Sequence, residues 1–418
     1  MNYKPVKVAV LGQGYVGLPL AILATEAGHQ VVGFDPDEAR IACLVEGRSY
    51  VEDVSDGRLA AALLKGYVPS TQPTALSDFD VAVITVPTPL TEGVPDLSHV
   101  LAAAATVADF LRRDRLVVLE STTYPGTTEE LLAPLLENRT GLVAGIDFHL
   151  AYSPERIDPG NSRFNLANTP KLVAGVTARS LSAVQAFYSS IIETVIPVSR
   201  PREAELAKLI ENTFRHVNIA LVNELAMFAH DLGVDIWEAL DSASTKPFGF
   251  MRFNPGPGVG GHCLPIDPSY LSWHVQKSLG QKFRFVELAN DINDHMPSYV
   301  VQRLIEGLNR RQVPLKGSKI LLVGLAYKPN TSDLREAPAL QIANRLDALG
   351  ATTFYVDNHV RATPDIERVF LSEETVSAME AVIILTDHDD VDYRLFEQCA
   401  SYVLDTRRRC HGSQIEWL

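Results

Sequence analysis

Little in this chain of 418 residues suits a framework of covalent or metal cross-links. It has four cysteines, Cys43, Cys263, Cys399 and Cys410, with no Cys-x-x-Cys pair and no histidine cluster at metal-ligand spacing. That shortage argues against a disulfide scaffold or a structural zinc site, so no metal is expected and a reducing cytoplasm is the expected compartment. No apolar run approaches the roughly 20 residues needed to span a bilayer. The stretch from Val6 to Ala27 is apolar enough for a signal peptide, but Gly12, Gly14, Gly17 and the acidic continuation argue against one. Positive charge is also short, with 37 basic against 51 acidic residues and a net charge of −14. Nucleic acid and anionic membrane are therefore poor partners, whereas a small anion needs only a few Arg and Lys converging locally.

What is present is a soluble, globular composition, 46% hydrophobic and 21% charged, on a chain long enough for about three domains. Val6-Lys-Val-Ala-Val-Leu11 reads as a strand. It runs into Gly12-Gln-Gly14-Tyr15-Val16-Gly17, then helix formers to Ala27, then a second strand, Gln30-Val-Val-Gly-Phe34, ending on Asp35. This is the dinucleotide fingerprint in its strand, turn, helix, strand context. The glycines let pyrophosphate approach backbone N–H groups at a helix N-terminus. Asp35 accepts ribose hydroxyls and repels a 2′-phosphate, which points to NAD over NADP. Strands Val81 to Thr88 and Leu116 to Thr122 join the same sheet, so Thr88 and Thr122 are expected to face the cofactor, although helix capping is the commoner use of Thr there.

Beyond a Pro-bounded loop with Ser153-Pro-Glu155-Arg156, residues Arg202 to Leu232 read as one long helix with apolar positions at Leu206, Leu209, Ile210, Val217, Leu221, Leu225 and Phe228. Lys208, Asn212 and Arg215 recur at i, i+4 and i+7, so the spacing places them on one face, either a solvated stripe or a binding surface. The helix also suits a dimer interface. Next comes Gly256-Pro-Gly-Val-Gly-Gly-His-Cys263-Leu-Pro-Ile-Asp267, a Gly-rich loop that presents a thiol as a candidate nucleophile. From Lys319 the N-terminal pattern repeats without the triple-glycine turn, and Ala326-Tyr-Lys328-Pro-Asn-Thr-Ser-Asp333-Leu-Arg335 stands in its place. The expected fold is therefore α/β: two Rossmann-like doubly wound parallel sheets joined by a helical central domain with a long helix. The expected boundaries are residues 1–200, 201–312 and 313–418.

These motifs, together with Ser121-Thr122-Thr-Tyr-Pro-Gly126-Thr127, resemble the UDP-glucose/GDP-mannose dehydrogenase family in order over essentially the whole chain. The resemblance implies two NAD-dependent oxidations of a nucleotide sugar at C6, in a homodimer with an N-terminal NAD domain and a C-terminal UDP-sugar domain. It implies that Cys263 carries the substrate as thiohemiacetal and thioester, Lys208 and Asn212 stabilise the oxyanion, Glu155 activates water, and Asp267 and Thr122 assist. It assigns Tyr15, Val16, Arg40, Thr88, Thr122 and Arg335, with the fingerprint glycines and Asp35, to NAD. Arg156, Ile157, Lys208, Asn212, Arg215, Arg252, Gly260 and Lys328 fall to the sugar diphosphate.

Within that family Val259, Ile266 and Pro159 stand where UDP-glucose enzymes usually carry an aromatic, a lysine and a glutamate. The resemblance is accordingly to the UDP-N-acetylhexosamine branch, with UDP-N-acetylglucosamine ahead of UDP-N-acetylmannosamine and UDP-glucose third. Two other readings stay open at this point: a two-electron 3-hydroxyacid-type dehydrogenase that needs no thiol, and a nucleotide-binding protein without turnover.

Overall fold

The structure, a computed structural model, describes residues 4–157, 163–261, 263–361, 363 and 365–418, and for Cys263 the backbone alone. Pro159, one of the three substrate markers, lies outside the described residues. The chain forms two compact units, Met1–Glu211 and Asn212–Leu418.

The first unit is built on β1 (Lys7–Leu11), β2 (Gln30–Phe34), β3 (Tyr67–Ser70), β4 (Val81–Ile84), β7 (Leu116–Leu119), β8 (His149–Tyr152), β9 (Lys171–Gly175) and β10 (Val195–Pro197), with β5 (Leu90–Thr91) and β6 (Val94–Pro95) as a small antiparallel hairpin. The sheet order is β10-β9-β8-β7-β4-β1-β2-β3. Strands β1, β4 and β7 are buried along almost their whole length, as parallel strands covered on both faces must be. Val8, Val10, Val81, Val83 and Val118 pack with Leu18, Leu20 and Ile22 of the helix Gly17–Glu26. Strands β4 and β7 stop at Ile84 and Leu119, short of the expected Thr88 and Thr122. Thr85 Oγ1 instead donates to the carbonyls of Leu11 and Gly12, which takes the chain out of the ladder at the glycine turn. Strand β9 runs antiparallel to β8, so the sheet is parallel except at that pairing.

The second unit has β11 (Lys319–Val323), β12 (Thr352–Val356), β13 (Glu367–Arg368), β14 (Ala381–Ile384), β15 (Val403–Asp405) and β16 (Ile415–Trp417) in the order β13-β12-β11-β14-β15-β16, all parallel. Its core joins β11, β12 and β14 to the helices Arg284–Arg310 and Pro338–Ala348 through Val300, Leu304, Ile320, Ile342, Tyr355 and Ile383. A further helix, Cys263–Leu279, begins at the cysteine itself, so the Gly-rich loop ends before Cys263 rather than at Asp267.

The long helix, Pro201–Asp231, buries a polar stripe beside apolar residues such as Leu209 and Val222 and leaves other apolar residues exposed. Glu205, Lys208, Asn212, His216 and Asn223 are each 6% exposed or less, while Ile210, Phe214, Leu221, Leu225 and Phe228 are between 44% and 56% exposed. Arg215, expected on the face of Lys208 and Asn212, is exposed. The buried polar residues recur at helical spacing, which makes them one continuous stripe.

Candidate active site

The cofactor turn is shaped by packing at two glycines and by openness at the third. Gly12 has φ +94°, and a Cβ there would lie 2.8 Å from the Thr85 carbonyl oxygen; a Cβ on Gly17 would meet the Gly12 oxygen at 1.8 Å. Gly14 has nothing within 4 Å of the same position, which is the space a pyrophosphate needs against the backbone. Between the glycines, Gln13 turns inward. Its Nε2 donates to the carbonyls of Val10 and Gly12, and its Oε1 accepts from Tyr67 Oη at 2.7 Å. Tyr15 and Val16 are half-buried beside the turn, and Thr88 is half-buried beyond β4.

Asp35 is 3% exposed. Its carboxylate accepts from Gln13 N at 2.8 Å, Asp37 N at 3.0 Å and Arg40 Nη1 at 3.0 Å. Three of about four acceptor sites on a carboxylate are thereby filled, so one is left for a ribose hydroxyl. The turn therefore fits a dinucleotide, and Arg40 reaches it through Asp35.

At the carboxyl ends of the neighbouring strands β7 and β8 stand half-buried Thr122 and the Ser153-Pro154-Glu155 segment, tied together by Ser153 N donating to Leu119 O at 3.0 Å. Lys208 Nζ donates to Glu155 Oε2 at 2.9 Å and to the Glu155 carbonyl at 2.5 Å. The other Glu155 oxygen accepts from Ile157 N. Arg156 is held by Glu211 at 2.8 Å and by the Pro170 carbonyl at 2.8 Å. One turn before Lys208, Glu205 accepts from Gly126 N, Thr128 N and Thr128 Oγ1 at 2.6–2.9 Å. Burial outweighs these donors and pushes its carboxyl up to about 7. Behind Thr122, Glu120 is fully buried with Lys171 at 2.8 Å and accepts from the Tyr188 hydroxyl, whose pKa burial raises well above the ordinary value.

In the second unit, Asn212 Nδ2 donates to Asp267 Oδ2 at 2.5 Å, with Asp267 only 4% exposed. Asp267 follows Cys263 by four residues on one helix. The glycines before Cys263 are small because neighbours occupy the space. A Cβ on Gly260 would lie 2.7 Å from Tyr327 Cβ, one on Gly261 2.8 Å from the Tyr327 ring, and one on Gly256 2.8 Å from Arg407 Nη1. Gly261 N also donates to the Arg335 carbonyl at 2.8 Å. The cysteine loop and the Ala326–Arg335 loop are therefore one packed assembly. Val259 is half-buried and Ile266 is 8% exposed. Lys328 is half-buried in the same loop, and its carbonyl accepts from Thr331. Arg335 is clamped by Asp333, and Arg252 by Asp241 at 2.5 Å.

Several of these residues escaped the sequence reading. Glu205, His216 and Asn223 continue the Lys208–Asn212 stripe, and periodicity alone would have exposed them had the stripe been followed along the whole helix. Arg407, half-buried and donating from Nε to Leu385 O at 2.8 Å, carried no local signal because its contact to Gly256 spans most of the unit. His359, His388 and Asp390 bring ligand atoms within 4.8 Å of one another. His388 is nonetheless engaged at both nitrogens, by Asn330 N and by Asp357, which leaves it no lone pair for a metal. Burial opposes the Asp357 charge, but the His388 hydrogen bond and backbone donors outweigh it and hold that carboxyl well below the usual range.

The sequence matches the UDP-glucose/GDP-mannose dehydrogenase family in three successive segments: its NAD binding domain over residues 6–192, its central domain over 202–295 and its UDP binding domain over 321–411. The chain is 38% identical to UDP-N-acetyl-D-mannosamine dehydrogenase of Pyrococcus horikoshii, covering 92% of this chain and 90% of that one. It is 39% identical to UDP-N-acetyl-D-glucosamine 6-dehydrogenase of Pseudomonas aeruginosa, over 82% and 80%. Among solved structures, the UDP-D-ManNAc dehydrogenase from Pyrococcus horikoshii superposes with a TM-score of 0.89 at 34% identity, covering 98% of each chain. With an NAD turn that fits its cofactor and all three family domains in order, this chain belongs to the UDP-glucose/GDP-mannose dehydrogenase family of NAD-dependent nucleotide-sugar oxidoreductases.

Proposed function

We propose that this enzyme oxidises the C6 hydroxyl of a UDP-N-acetylhexosamine, UDP-N-acetylglucosamine first, to the uronic acid in two steps. The observation that carries the reading is the buried polar stripe of the long helix, where Lys208 meets Glu155 and Asn212 meets Asp267. Folding alone gives no reason to bury two such pairs, since desolvation offsets much of what they gain. Residues 1–200 hold NAD, 201–312 supply the long helix and Cys263, and 313–418 hold the UDP group. NAD, when bound, supplies the hydride acceptor for both oxidations.

The Cys263 thiolate adds to the C6 aldehyde as a thiohemiacetal, loses a second hydride to become a thioester, and is released as a thiol when water supplies the carboxylate oxygen. A thiolate is the effective form of such a nucleophile. Lys208, a compact cation, and Asn212, four residues along, stabilise the oxyanion. Glu155 takes the proton of the attacking water, and Thr122 and Asp267 orient it. Lys328, Arg156, Arg215, Arg252, Ile157 and Gly260 receive the sugar diphosphate, and Arg335 serves the cofactor. UDP-N-acetylmannosamine is the second reading, supported by the 38% identity with the P. horikoshii UDP-N-acetyl-D-mannosamine dehydrogenase.

NADH formation across UDP-GlcNAc, UDP-ManNAc, UDP-GalNAc and UDP-glucose, each with NAD and NADP, is the test. The highest kcat/KM is expected for UDP-GlcNAc with NAD. A preference for UDP-glucose overturns the hexosamine reading, and a preference for NADP overturns the role of Asp35.

The exposed Phe214, Leu221, Leu225 and Phe228 support a homodimer through the long helix. Sedimentation is expected to give twice the 45.8 kDa chain mass, and Leu225→Glu/Phe228→Glu to shift it to one; an unshifted double variant contradicts this interface. The scarcity of cysteine and the need for a free thiol support a cytoplasmic setting. Among the described residues no helix is long and apolar enough to cross a membrane.

A further inference from the structure

Five side chains of the second unit form one hydrogen-bonded chain whose two ends lie on either side of Cys263. Gly256 N, a donor only, donates to Asn223 Oδ1 at 2.9 Å. Asn223 Nδ2 therefore faces Asn293 Oδ1, at 3.0 Å. Asn293 Nδ2 in turn faces His216 Nδ1 and the His216 carbonyl, each at 3.4 Å. An imidazole nitrogen facing an amide donor keeps its lone pair, so the ring proton sits on Nε2 and donates to Asn290 Oδ1 at 2.7 Å. Asn290 Nδ2 reaches Ser269 Oγ at 3.4 Å, and Ser269 Oγ donates to the Pro265 carbonyl at 3.0 Å. Each link fixes the direction of the next, and the chain joins the long helix, the helix Arg284–Arg310 and the cysteine segment.

Asn223, His216 and Asn293 are 2% exposed or less, so none can exchange its partner for solvent. Burial lowers the His216 pKa, in keeping with the neutral ring that the donor pattern requires. His216 is also the single member with a donor and an acceptor on opposite sides of a rigid ring, which lets it reach two residues of the helix Arg284–Arg310 at once.

We infer that His216, as the Nε2–H tautomer, is a positioning residue that fixes Gly256 and Pro265, the backbone points on either side of Cys263, and thereby the placement of Cys263. The inference rests on the reading of Cys263 as the acyl carrier, and it concerns how the carrier is held. Gln at position 216 offers an acceptor and a donor at nearly the separation of the two ring nitrogens, whereas Ala offers neither.

The test compares His216→Ala, His216→Gln and Asn290→Ala in the full chain. It measures kcat, KM for NAD, and the iodoacetamide alkylation rate of Cys263 by peptide mass spectrometry, with Cys43 of the first unit as internal reference. Asn290→Ala breaks the chain at its half-buried end and serves where His216→Ala does not fold. For the Ala variants, kcat is expected to fall by about 10- to 100-fold, with KM for NAD within about twofold and the Cys263 alkylation rate changed by about threefold or more. His216→Gln is expected to recover most of both. Wild-type kcat in the Ala variants, a lower kcat with unchanged Cys263 alkylation, or a Gln variant as impaired as Ala each overturns the inference. Alkylation reports placement whether or not Cys263 carries the acyl group. An active Cys263→Ala variant therefore overturns the acyl-carrier reading separately.

Discussion

Cys263→Ala is expected to lower uronic acid formation on the order of 10⁴-fold or more, the scale on which loss of a covalent nucleophile acts. The second oxidation needs an adduct from which hydride can leave and which water can then cleave. Without the sulfur, the aldehyde is neither retained nor activated. The variant should still bind NAD and UDP-sugar with near-normal affinity, because Cys263 opens a helix while Gly260 and Gly261 before it are fixed by Tyr327 and the Arg335 carbonyl. Rapid-mixing NADH traces with analysis of released product check this. Full activity in the alanine variant supports the simpler two-electron dehydrogenase instead.

The second large effect is expected at Lys208. Lys208→Met removes a buried cation that lies 2.9 Å from the Glu155 carboxylate. A positioned donor to a developing oxyanion is worth about 10²- to 10³-fold, so kcat should fall by that factor. Stability should fall as well, because Glu155 is left charged and 8% exposed with Ile157 N as its remaining donor to the carboxylate among the hydrogen bonds described above. Removing one partner of a buried pair costs about 3 kcal/mol. Adding Glu155→Gln isolates the stability effect, since the double variant removes the stranded charge although it also removes the base assigned to Glu155. Denaturant unfolding should then recover most of the lost stability while kcat stays low. Wild-type kcat in Lys208→Met alone contradicts a catalytic role for Lys208.

The cofactor half of the site was legible because its signal is local. Gly12, Gly14, Gly17 and Asp35 lie within one βαβ unit, although the neighbour that excludes a side chain at Gly12 is Thr85, beyond β4. The long helix was legible in extent but not in polarity. A run of Lys, Asn and Arg beside Leu and Phe reads as a wet face beside a dry one, whereas Lys208, Asn212 and His216 are buried and Phe214 and Phe228 are exposed. The strands β8 to β10 were not legible, because His149-Leu-Ala-Tyr152 is short and lacks β-branched residues and β9 turns against the sheet. Cys263 was expected in a loop, yet Pro265 two residues later suits the first turn of a helix, where a missing N–H costs nothing.

The central claim is that one active site performs both oxidations without releasing the aldehyde. The most direct measurement is the ratio of NADH formed to UDP-N-acetylhexosamine consumed by the purified enzyme, with the sugar product identified by mass. The account predicts two NADH for each sugar and a uronic acid product. One NADH for each sugar with free aldehyde in solution contradicts it.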